Sequence, residues 1–132
     1  MAASELGPGA RFLGAARLDG HELGFRRRSV RWGGGAADLL PDPGGVVWGA
    51  IFEVDDWSAL DAREGLGRAY ERVAVTVSLD GRDVSAETYV VIDREPADVP
   101  PTPDYAATML RGARECGLPE EYITALERRF GQ

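Results

Sequence analysis

Apolar and polar residues alternate with a period of two through the middle of the chain. In ERVAVTVSL, residues 71–79, Val73, Val75, Val77 and Leu79 share one face, the spacing of a strand with one buried side. Asp80-Gly81 follows, and VSAETYVVI, residues 84–92, resumes the pattern, so the pair predicts a hairpin. VVWGAIFEV, residues 46–54, is apolar on both faces. Trp48, Ala50, Phe52 and Val54 form one, and Val47, Gly49 and Ile51 the other, which predicts a central strand covered on both sides. FLGAARLDGHELGFR, residues 12–26, reads as two short runs about Asp19-Gly20, a further hairpin. Between these, RWGGGAADLLPDPGG, residues 31–45, reads as loop-rich with ADLL as a short strand. Its three glycines, 33–35, read as a flexible turn, with close backbone approach to a neighbour or ligand as the alternative.

The period changes twice. WSALDARE, residues 57–64, predicts a short helix opened by Asp55, Asp56 and Ser58 and stopped by Gly65. After the proline-rich connector REPADVPPTP, Thr102 caps and Pro103 starts a helix over DYAATMLRGAREC, ended by Gly117. Pro119 starts a last helix, EEYITALERRF, ended by Gly131, with Tyr122, Ile123, Leu126 and Phe130 on one face. The predicted class is α+β: a mostly antiparallel curled sheet or small β-barrel with flanking helices, one domain over residues 1–132.

Composition narrows the chemistry. With 44% apolar and 28% charged residues the chain reads as an ordinary globular protein. Its net charge of −7 argues against nucleic acid or an anionic membrane as partner. All 15 basic residues are arginines, which points to a GC-rich coding sequence. The lone Cys116 allows no internal disulfide and fits a reducing cytoplasm; at a helix end, it reads as an inert thiol. His21, after the Asp19-Gly20 turn, reads as a hairpin-surface residue. One His and one Cys without paired spacing do not make a zinc site, and no G-x-S-x-G elbow offers a nucleophile. The three glycines lack the Lys-Ser/Thr of a phosphate loop. No metal or cofactor is expected.

Glu64 breaks the pattern. It falls in the last turn of its helix, where carbonyl ends repel an anion. It also lies on the apolar face that Trp57 and Leu60 define, seven and four residues before it. Partial burial and a helix C-terminus both disfavour the anion, which moves a carboxyl pKa toward neutrality and suits proton transfer. From position alone, an ion pair with Arg68 or Arg72 explains the residue equally well.

In order, VWGAIFEV, LDAREG, YERVAVTV, ETYVV and PPTPDYAATMLRGARECGLPEEYI resemble the γ-glutamylcyclotransferase family, over nearly all of residues 10–128. The resemblance implies a small β-barrel with flanking helices and a cofactor-free, metal-free enzyme. Such an enzyme cleaves a γ-glutamyl amino acid or amine by attack of the substrate's own α-amine, releasing 5-oxoproline. It assigns Glu64 of the (L)D-x-x-E-G motif as acid/base, and Tyr70, Tyr89 and Tyr105 as residues lining the substrate pocket. From the sequence alone, each tyrosine also fits plain packing. Asp61, one turn before Glu64, reads as structural.

The family opens with a strand ending in Tyr-Gly-Ser-Asn, whose backbone amides grip the glutamyl group as an oxyanion hole does. That tetrapeptide does not occur in these 132 residues. The opening MAASELGPGARFLGAARL resembles the segment just after it, with Met1 where the family has an apolar residue. Either translation was assigned from an internal Met, the reading preferred because losing a strand exposes backbone and apolar surface, or the strand is lost. Translating the upstream DNA in frame decides between the two. As written, the polypeptide is expected to be weakly active or inactive. The alternative function is a silent small-molecule binding or interaction domain on the same fold. A homodimer is a further expectation, since a neighbour's edge can replace a missing strand.

Overall fold

The structure, a computed structural model, describes residues 10–28, 33–54 and 70–131. The expected helix at 57–64, with Asp61 and Glu64, lies outside the described residues. Four strands, β1 (Ala10–Arg28), β2 (Gly35–Val54), β3 (Tyr70–Leu79) and β4 (Arg82–Val91), form one antiparallel sheet in the order β2-β1-β3-β4. Two helices follow, α1 (Pro103–Glu115) and α2 (Glu120–Arg129). This is the α+β curled sheet the periodicity predicts. Among the described residues the barrel alternative is not closed, because no backbone ladder joins β2 to β4.

The two Asp-Gly pairs part company. At Asp80-Gly81 both residues are left-handed, with φ 51° and 77°, and the chain turns from β3 into β4 with Leu79 opposite Arg82. At Asp19-Gly20 only Gly20, φ 76°, is left-handed, so no hairpin forms there. Instead β1 runs straight on with a register shift: between Asp19↔Val46 and His21↔Pro41, Gly20 alone stands opposite four residues of β2, 42–45, so the extra residues are on β2. Packing across the strands holds it: a Cβ on Gly45 would stand 2.2 Å from the His21 carbonyl. His21 therefore sits within a strand, its Nδ1 3.0 Å from the Asp19 carbonyl oxygen, rather than on a hairpin turn.

The stretch expected to be loop-rich is mostly strand as well. ADLL and VVWGAIFEV belong to one 20-residue β2. Gly34 and Gly35 are not a flexible turn but a close approach to the connector: the Gly35 N–H donates to the Pro100 carbonyl at 3.0 Å, and a Cβ on Gly35 would stand 1.8 Å from the Val99 oxygen. The expected cover on both sides of residues 46–54 is incomplete, since only Val47 is buried and Val46 is exposed, and β2 lies at the edge of the sheet order and not in its centre. One face, with Trp48, packs against the helices, and Val47 and Ile51 turn to the inside of the curl.

Two cores result. Outside the curl, Leu110, Ala113, Leu118, Ile123 and Leu126 bury against Ala15, Leu23 and Trp48. Tyr122 and Phe130 join them, so the apolar face foreseen for α2 is the packed one. Inside the curl, Ala16, Leu18, Val77 and Leu79 form the second core, with Leu39, Val75 and Ala86 against it. Thr102 caps α1 by accepting the Tyr105 N–H at 3.3 Å, and Gly117 and Gly131 close the two helices in left-handed conformation. Cys116 is the α1 C-cap; burial, reinforced by Glu115, pushes its thiol pKa up and away from the thiolate.

Candidate active site

A cavity of about 360 Å³ opens inside the curl, lined by residues of all four strands. Most of its wall is aliphatic, including Leu18, Leu39, Val47, Ile51, Val75 and Val77, because these are the inward positions of alternating strands. Polar groups are few: Asp38 from β2, and Glu87, Thr88 and Tyr89 from β4. The volume suits a small molecule, and a mostly apolar wall strengthens the few polar contacts it contains.

The three tyrosines come from separate elements. Tyr89 borders the cavity from β4. Tyr70 opens β3 and pairs with Val91, while Arg72 pairs with Tyr89, so regular alternation sets Tyr70, Arg72 and Tyr89 on one face of the hairpin, opposite to the face of Val75 and Val77. The Arg27 guanidinium lies 5.7 Å from the Tyr70 ring centroid, a cation–π contact. Arg72 also reaches Glu87 at 3.5 Å. Tyr105 arrives on the first turn of α1. Its hydroxyl accepts the Ala37 N–H at 2.8 Å, and its ring meets Phe25 edge-on, with centroids 6.5 Å apart.

Ala37 and Asp38 connect these parts. The Asp38 side chain is fully buried; its Oδ1 accepts the Val91 N–H at 3.0 Å and its Oδ2 accepts Arg94 Nε at 2.7 Å. Arg94 Nη2 also donates to the Leu39 carbonyl at 3.1 Å. Tyr105 is thus anchored to Ala37, and the next residue is anchored to Val91, which faces Tyr70 and lies two positions beyond Tyr89. Sequence patterning does not single out Asp38 or Arg94. The signals available were a lone carboxylate in the apolar run AADLL and an arginine directly after the strand VVI. Glu64 and Asp61 lie outside the described residues. Among the described residues no group of three His, Cys, Asp or Glu side chains is placed to hold a metal ion, and no helix is long and apolar enough to cross a membrane.

A family model of the AIG2-like family matches residues 46–126. Mouse gamma-glutamylcyclotransferase is 35% identical over 128 residues, 91% of this chain and 67% of that protein. The cattle protein of the same name is 36% identical over 123 residues, covering 87% of this chain and 64% of that one. The chain thus spans about two thirds of these relatives' length. A solved gamma-glutamyl cyclotransferase structure superimposes with a TM-score of 0.87 at 29% identity, over 96% of this chain and 83% of its own. With the matched fold, the matched family model and this identity, the chain belongs to the AIG2-like family and is a relative of the gamma-glutamylcyclotransferase enzymes.

Proposed function

We propose that this chain acts in the cytoplasm on a small γ-glutamyl amino acid or γ-glutamyl amine and releases 5-oxoproline. Glu64 serves as the acid/base. It takes a proton from the substrate's α-ammonium, and the freed amine attacks the γ-carbonyl carbon, forming the ring C–N bond. The bond from that carbon to the leaving nitrogen then breaks as Glu64 returns the proton to it, and the ring nitrogen gives up its second proton to the departing amine or to water. The nucleophile is part of the substrate, so a proton shuttle and a grip on the glutamyl group suffice.

Tyr70, Tyr89 and Tyr105 supply that grip, their hydroxyls bonding the glutamyl carboxylate and their rings walling the site. The observation that carries this reading is the 35% identity to a gamma-glutamylcyclotransferase over 91% of the chain. The cavity supports it, with Tyr89 at its border and Tyr105 bound to one of its lining residues. The test is 5-oxoproline release by the full chain from a panel of γ-glutamyl amino acids and amines. Glu64→Gln is expected to lower kcat by about 10²–10⁴, the contribution of a general acid–base group. An unchanged rate in that variant removes Glu64 from the chemistry; little or no turnover by the 132 residues alone is the outcome expected without the Tyr-Gly-Ser-Asn loop, and no turnover by a form that carries the loop removes the activity itself.

A further inference from the structure

Among the described residues Asp38 is the one buried charged side chain, and it stands in the wall of the cavity. Its contacts join β2 to the end of β4, the two outer strands of the order β2-β1-β3-β4. No backbone ladder joins these edges among the described residues; beside apolar packing in the inner core, three polar bonds cross between them: Val91 N–H to Oδ1, Arg94 Nε to Oδ2, and Arg94 Nη2 to the Leu39 carbonyl. A sheet that curls without closing can open at its edges, and the cavity would widen with it.

We propose that Asp38 is a positioning residue for the site. Its clasp on Val91 and Arg94 sets the spacing between the hairpin face that carries Tyr70 and Tyr89 and the β2 segment to which Tyr105 is bound. The inference rests on those tyrosines holding the γ-glutamyl group as proposed above. Asp38 acts through geometry and not as an acid or base, since each of its oxygens already receives a donor within 3.0 Å. The exchange Asp38→Asn isolates the effect. An Asn has nearly the same size but one acceptor oxygen, so it can serve Val91 or Arg94 and not both.

The experiment compares the wild-type full chain with Asp38→Asn in two readouts. In native-state amide exchange followed by NMR, Val91 in the variant is expected to exchange about tenfold or more faster, while amides at the turn end of the β3–β4 hairpin stay unchanged. Equal exchange at Val91 overturns the clasp whether or not the protein turns over substrate. In 5-oxoproline release, KM is expected to rise about tenfold with kcat within about threefold and both limbs of the pH profile in place. A purely structural role lowers the folded fraction and depresses apparent kcat at unchanged KM, which overturns the positioning role. A lost pH limb overturns it too, by making Asp38 a proton-transfer group. Arg94→Gln, which leaves the Val91 bond in place, is expected to shift KM in the same direction by less. Absence of turnover, in these 132 residues or in a form that carries the loop, bears on the proposed activity alone, and the exchange of Val91 then still decides the clasp.

Discussion

Tyr105 does two things with one side chain. Its ring fills space against Phe25, and its hydroxyl satisfies a backbone N–H at Ala37 that the β1–β2 ladder does not use there. Tyr105→Phe keeps the ring and removes the acceptor. The expected loss is about 1 kcal/mol of stability, the net worth of one such bond, seen as a lower urea midpoint at unchanged slope. KM for the γ-glutamyl substrate rises in the same variant if the hydroxyl also grips the glutamyl group. That position was legible in the sequence through the PPTPDY stretch, because a capping Thr and a Pro at the helix start fix where the first turn lies. Asp38 was not legible. Its partner Arg94 is 56 residues away, and nothing local to either residue indicates that they meet.

At the level of single elements, the strands show how far a local rule reaches. Two glycines of β2 make the point. Gly35 faces the connector, where an added Cβ would press to 1.8 Å on the Val99 carbonyl, and Gly49 has nothing within 4 Å of that position. Gly35→Ala is expected to cost about 1–3 kcal/mol, because backbone must move to admit the methyl. Gly49→Ala is expected to be neutral or to stabilise by about 0.4–1 kcal/mol through the unfolded chain. Chemical denaturation of the two variants side by side measures the contrast. In the sequence the three-glycine run fits a turn or a close backbone approach, and only the folded connector decides for the approach at Gly34 and Gly35.

Across the whole molecule, the connector and helices are tied to the sheet by an ionic cluster around Asp98. Its carboxylate accepts the Phe25 N–H at 3.1 Å and Arg26 Nε at 3.0 Å, and Arg129 Nη2 at 3.2 Å, joining the connector to β1 and α2. Burial raises its pKa, but the Phe25 N–H and the two guanidiniums outweigh burial and hold it below the ordinary 3.8. A lowered folded pKa means the unfolded chain binds the proton more readily. The stabilisation is therefore full above the unfolded value, about 3.9, and is lost as pH falls through the folded one. The difference in urea midpoint between wild type and Asp98→Asn is expected to be constant from about pH 7 to 5 and to shrink below about pH 4. Solvent reaches much of this cluster, so added salt is expected to reduce the difference.

By itself the sequence determined the β3–β4 hairpin, the two C-terminal helices with their caps, the inward faces of the strands and the family. Each depends on a local signal: a period, a capping residue, a turn dipeptide between two cleanly alternating runs, or a run of motifs in order. Tertiary structure alone decided that the first Asp-Gly lies within a strand, that β2 is one long edge strand, and that the sheet curls without closing among the described residues. It alone decided that Asp38 and Arg94 join the edges. The physical reason is the same in each case. An Asp-Gly pair, a glycine run or a lone carboxylate is compatible with several local conformations of similar energy, and contacts many residues distant in sequence select among them.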